Sequence, residues 1–209
     1  MAQILKDDLK DKIIDSAKSE FLEKGFKEAS LRNIAKSSNM TVGNLYRYFK
    51  NKEDIKKQII GDTLRELENM LQKVTDNKIS FSSAEANITL KGEEMIVILD
   101  KIADEMVDIY KRHKIEFNIL LQHSSINEEL LEWFAKMIVS IIRNNYDVEN
   151  HTKEVNDLAH AYAVSIFYGV KDLFLNKKRE SDNLNSLIKI YFRSFIKMLD
   201  FDLKTMIGD

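Results

Sequence analysis

Apolar residues recur at three- and four-residue spacing along almost the whole chain, and strict alternation is nearly absent. That pattern predicts amphipathic helices and no strands. The first run carries Ile13, Ile14, Ala17, Phe21 and Leu22 and stops at Gly25, expected as a C′ residue in the left-handed region. A short run over 30–37 has Ser30 placed to cap its N-terminus, and Thr41 is placed to cap 41–49. Asn51 and Asp54 give a cap and a first-turn acid to a long run with Ile55, Ile59, Leu64, Leu67, Leu71 and Val74 on one face.

Residues 75–92 are the one polar, loop-like stretch and the expected joint between two domains. Helical periodicity resumes with Met95, Leu99, Ile102, Met106 and Ile109, continues through Phe117 to Leu121, and returns over 128–144. The last two runs, 152–176 and 183–203, are apolar on more than one face, so each needs two burial surfaces. One is a domain core, and a second copy of the chain is the simplest provider of the other. Tyr162, Ile166, Val170, Phe174, Leu184, Ile188, Tyr191 and Phe195 are the candidates for that dimer interface. The expectation is an all-α protein of about nine helices.

Composition agrees. The 209 residues include no proline, where an average of about 5% would give about ten. Proline suits turns and breaks helices, so its absence favours long helices with short connections. Without cysteine there is no disulfide, thiolate zinc site or cysteine nucleophile. The longest uncharged apolar stretch near the C-terminus, 158–170, falls short of the ~18–20 residues a membrane span needs. The N-terminus turns charged before a signal-peptide core can form, so a cytoplasmic protein is expected. The formal net charge of −2 hides an asymmetry: residues 1–57 hold 13 basic and nine acidic side chains, and the remainder 19 and 25.

The informative segment is 29–54, ASLRNIAKSSNMTVGNLYRYFKNKED. Two short helices joined by Ser38, Asn39 and Met40 fit a helix-turn-helix. Ala35 stands where the helices cross and only a small side chain fits. Asn39 takes the turn position that needs positive φ, and Leu45 anchors the second helix. Such a unit presents the N-terminal part of its second helix to the major groove. Between 24 and 57 there are nine basic and three acidic residues, with Tyr46 and Tyr48 flanking Arg47; all three can donate to phosphate.

This stretch resembles the DNA-binding domain of the TetR/AcrR family of bacterial transcriptional regulators, over about residues 13–59. The resemblance rests on Thr-Val-Gly-Asn-Leu-Tyr-Arg-Tyr-Phe-Lys-Asn-Lys-Glu-Asp-Ile, preceded by Ser-Leu-Arg-Asn-Ile-Ala-Lys and Phe-Leu-Glu-Lys-Gly-Phe. The one departure is Asn39 where the family usually has Gly. The resemblance implies a homodimer with a reading head (1–50), a connecting helix (51–74) and a ligand-sensing and dimerising domain (75–209). It places Arg32, Thr41, Val42, Gly43, Asn44, Arg47 and Tyr48 toward double-stranded DNA with a near-palindromic operator, and makes Tyr46 and Lys52 phosphate contacts. Asn44 would suit an adenine edge and Val42 a thymine methyl.

The implied effector is a largely apolar small molecule. Met95, Met106, Tyr110, Phe117, Leu121, Trp133, Met137, Tyr162 and Phe167 suit such a pocket, and suit an ordinary bundle core equally well. Among the four histidines His160 has a carboxylate, Asp157, at helical spacing; there is no HExxH and no phosphate-cradling glycine loop. Neither a metal, a cofactor nor an enzymatic reaction is expected. The function implied is a ligand-responsive repressor of its own or adjacent genes. The alternative is a helical dimeric protein-interaction or ligand-sequestering module whose head is non-functional.

Overall fold

The computed structural model describes residues 2–74, 92–122, 131–132, 134–136, 138–139, 142, 152–176 and 183–207. Among these every regular element is helical: α1 (Ala2–Glu28), α2 (Leu31–Ser37), α3 (Val42–Leu45), α4 (Lys52–Val74), α5 (Gly92–Arg112), α6 (Lys114–Leu121), α7 (Thr152–Leu175) and α8 (Leu184–Ile207). The described positions between 131 and 142 are helical as well. No described helix is long and apolar enough to cross a membrane. The expected joint, apart from Gly92 at the start of α5, lies outside the described residues.

The contacts divide the chain into two units, Met1–Glu66 with Arg112–His123, and Leu67–Lys111 with Ser124–Asp209. This differs from the boundaries expected at 50 and 74. The first fifteen residues of α4 belong with the head, and so does α6, which packs on α1. The reason is α6's own composition: Phe117, Ile119, Leu120 and Leu121 are all buried, a helix too apolar to lie on a surface. Glu116 of α6 pairs with Lys18 of α1 at 2.7 Å. Burial alone would raise the Glu116 carboxyl, but the Lys18 bond and further hydrogen bonding and charge outweigh it and hold the group below its ordinary value. At the α5–α6 junction His113 interrupts the helix expected to run through to Leu121. Its Nε2 lies 3.0 Å from Glu66 Oε1, and Arg112 pairs with the same carboxylate.

α1 also departs from expectation. Gly25 has the positive φ foreseen, 75°, but with ψ 161° it kinks the helix, which resumes over Phe26–Glu28. That region of backbone space is nearly reserved for glycine.

In the second unit α7 packs on α8. Tyr162 meets Phe195 edge-on at 5.4 Å, and the Tyr191 hydroxyl donates to the Ser165 carbonyl at 2.6 Å. Asp100 binds Arg193, and Asp104 binds Lys189 and Asn185, tying α5 to α8. At Gly169 the Tyr191 side chain lies where a Cβ would stand.

Two sets of expected residues need correction. Tyr162, Ile166, Val170, Phe174, Leu184, Ile188 and Phe195 are buried within their own unit and Tyr191 is half-buried, so this stripe is protomer core and not a free dimer face. Among the described side chains of α7 and α8, the large apolar ones left exposed are others: Tyr168, Ile190 and Met198. The candidate effector contacts are divided. Phe117 and Leu121 are buried in the first unit, while Met106, Tyr110, Tyr162 and Phe167 lie in the second. Trp133, Met137 and the side chain of Met95 lie outside the described residues.

This contact gives a direct test. Gly169→Ala should lower stability by about 1–3 kcal/mol through overpacking, seen as a lower thermal midpoint, because the Tyr191 ring must move and give up its bond to the Ser165 carbonyl.

Candidate nucleic-acid interface

Side-chain and backbone caps fix the turns that join α1, α2, α3 and α4. Ser30 accepts from Arg32 N–H at 3.2 Å and caps α2. Glu20 of α1 accepts from Ser30 N–H at 3.1 Å and from the Asn33 amide at 3.0 Å, fixing how α2 leaves the turn. At the other end Asn39 has φ 57°. Met40 N–H reaches Ala35 O at 2.9 Å and Asn39 N–H reaches Lys36 O at 3.1 Å. Those two bonds form a Schellman motif, so Asn39 does what glycine usually does there. The Ser38 hydroxyl is buried and donates back to the Ile34 and Ala35 carbonyls.

Thr41 caps α3, accepting from Asn44 N–H at 3.2 Å. α3 is one turn, shorter than the run expected over 41–49. Beyond Leu45 the chain tightens: Arg47 N–H bonds Asn44 O and Tyr48 N–H bonds Leu45 O, both i to i−3. Leu45 is completely buried and Phe49 nearly so. At the start of α4, Asn51 caps the helix by accepting from Asp54 N–H at 2.8 Å, and Asp54 accepts from Lys50 N–H at 2.9 Å.

With Leu45 pointing inward, the other side of α3 is left free. Thr41, Gly43 and Arg47 are exposed, Val42, Asn44 and Tyr48 are half-buried, and Tyr46 is 53% exposed. A Cβ added at Gly43 would meet nothing of the protein within 4 Å. Arg32 and Lys36 of α2, with Lys50 and Lys57, are exposed around them. This surface offers cations, phenol hydroxyls and a helix start, which together can hold phosphates and bring small side chains to base edges.

Two basic residues counted toward that surface are placed differently. Lys56 is buried, its ammonium paired with Glu53 and 4.6 Å from the Phe26 ring centre. Lys52, expected as a phosphate contact, donates to the Lys27 and Ala29 carbonyls, each at 2.9 Å. No spacing in the sequence points to either arrangement, because both depend on Phe26 being turned toward α4 after the Gly25 kink. Among the described residues no three His, Asp or Glu side chains come together as metal ligands. Asp157 and His160 are exposed on α7.

Residues 13–59 match the sequence signature of bacterial regulatory proteins of the tetR family. The biofilm operon icaADBC HTH-type negative transcriptional regulator IcaR of Staphylococcus aureus (strain Newman) is 38% identical over 74 residues. That alignment covers 35% of this chain and 39% of the relative, so the chain spans under half the length of such relatives. The IcaR protein of Staphylococcus epidermidis is 23% identical over 145 residues, 66% of this chain and 76% of its own. In fold, a TetR-like transcriptional regulator from Rhodococcus sp. RHA1 aligns over 90% of this chain and 96% of its own, with TM-score 0.55 and 16% identity. A TetR-family regulator from Bordetella parapertussis 12822 aligns over 89% and 93%, with TM-score 0.57 and 19% identity. Residues 13–59 thus carry the tetR-type sequence signature, and the chain shares its fold with TetR-family regulators along most of its length.

Proposed function

We propose that the chain is a ligand-responsive, sequence-specific DNA-binding repressor that works as a homodimer in the cytoplasm, and that it carries no enzymatic activity of its own. The observation that carries this reading is α3: Leu45 is buried while Thr41, Gly43, Tyr46 and Arg47 stay exposed beside Arg32 and Lys36, a polar and basic face with no use inside the protomer. The S. aureus and S. epidermidis relatives are named as negative transcriptional regulators, which supports repression.

Dimerisation brings two such faces to successive half-sites about 34–36 Å apart. The dimer surface we assign is the part of α7 and α8 that exposes Tyr168, Ile190 and Met198. An apolar effector in the second unit, near Met106, Tyr110, Tyr162 and Phe167, would act by linkage. If it binds the DNA-free form more tightly, it must weaken DNA binding by the same factor.

Selection from a random duplex pool by the full chain should enrich a near-palindrome; recovery of no symmetric sequence contradicts the reading. On that duplex Asn44→Ala should relax base preference at one position per half-site, costing about 1–3 kcal/mol against the preferred base and little against others. Equal loss on every sequence would remove Asn44 from base reading. Ile190→Asp should shift the chain from dimer to monomer in sedimentation while leaving its helical circular dichroism unchanged; an unchanged dimer would move the interface elsewhere.

A further inference from the structure

α2 begins without an acid of its own to complete its cap. Ser30 stands at the N-cap and accepts from Arg32 N–H at 3.2 Å. In a capping box the residue three further on, a glutamate or glutamine, reaches back to the N–H of the cap residue. That position here holds Asn33, and its side-chain amide points to another partner, donating to Glu20 Oε1 at 3.0 Å. The Ser30 N–H donates to the same oxygen at 3.1 Å. The box is closed by a carboxylate ten residues back along the chain, on α1.

A borrowed acid does what a local one does not. A glutamate at 33 would order the first turn of α2 and leave its relation to α1 open. Glu20 does both, because one oxygen on α1 holds α2 at two places, the cap N–H and the Asn33 side chain. Two held points define how α2 lies on α1 and how it is rolled about its own axis. α2 has seven residues, so its first turn sets the direction of the whole element. Between the held residues lies Arg32, exposed on the basic face; just beyond them Ile34 and Ala35 are buried, and α2 packs on α3. We infer that Glu20 is a positioning residue for DNA binding: by lending α2 its capping acid from α1, it sets the roll of α2 and with it the direction of Arg32. This rests on the DNA-binding reading proposed above.

The test separates aiming from capping. Glu20→Gln keeps an oxygen that can accept both bonds, and Glu20→Leu removes it with the same change of charge. Adding Asn33→Gln to Glu20→Leu rebuilds the box inside α2 without a tie to α1. Affinity for a duplex selected by the full chain is read well below the lowest thermal midpoint of the set, so that every variant is folded. Glu20→Gln should bind within about threefold of the parent, and Glu20→Leu about tenfold weaker than Glu20→Gln. The double variant should regain thermal midpoint and stay as weak a binder as Glu20→Leu. Arg32→Ala should cost about tenfold in the Glu20→Gln background and under about twofold in the double variant, the mark of coupled residues. Without DNA, amide exchange at Ser30 should be slow in the parent and in Glu20→Gln and faster in Glu20→Leu. Equal affinity of Glu20→Leu and Glu20→Gln, recovery of affinity in the double variant, an Arg32→Ala loss equal in both backgrounds, or Ser30 exchange indifferent to Glu20→Leu would each overturn the assignment. If Ser30 exchange behaves as expected and the selection enriches no duplex, the DNA-binding reading fails and the assignment falls with it.

Discussion

Burial of Leu45 is the constraint on which the head depends. α3 is a single turn, too short to hold itself together by its own hydrogen bonds. It exists because Leu45 and Phe49 are taken out of water while the Thr41 hydroxyl accepts from the Asn44 N–H. Removing a fully buried leucine side chain commonly costs about 2–5 kcal/mol, a large share of a small unit's stability. The exposed row from Thr41 to Arg47 follows from that burial. A turn anchored by its apolar side has no freedom to present any other.

Around the anchor the sequence supplies fixed geometry at each junction. The Schellman motif at Asn39, the bonds of Glu20 and Lys52 to the α1–α2 turn, and the cap of α4 by Asn51 each settle one angle. These are hydrogen bonds with modest individual worth, about 1 kcal/mol. Their value here is directional, since a reading turn that wavers loses register with the groove. Charge then works at longer range. The basic excess of residues 1–57 is offset by the acidic excess of the rest, so the whole-chain charge of −2 says nothing about the surface that meets an anion.

Much of this was legible in the residues. Periodicity, the absence of proline and the capping residues mark the helices, and Ala35, Asn39 and Leu45 mark the helix-turn-helix. What could not be read is where non-local packing decides. α6 follows α5 after the single residue His113, yet it packs on α1, and a stretch such as Lys-Ile-Glu-Phe-Asn-Ile-Leu-Leu does not say which helix will cover it. The apolar stripes of α7 and α8 were visible, but each helix uses the stripe of the other first. Tyr162 and Phe195 therefore became core, and Ile190, an unremarkable position in the pattern, became surface. The basic run counts Lys52 and Lys56 alike, because sequence counts charge without showing that each ammonium stands against the Phe26 ring.

The central claim is that the face spanning Thr41 to Tyr48 contacts DNA. Amide hydrogen exchange of the full chain, with and without its selected duplex, tests it most directly. Slowed exchange over the N-terminal turn of α2 and over 41–48 is the result expected. Exchange unchanged over 41–48 while the duplex is bound would contradict it.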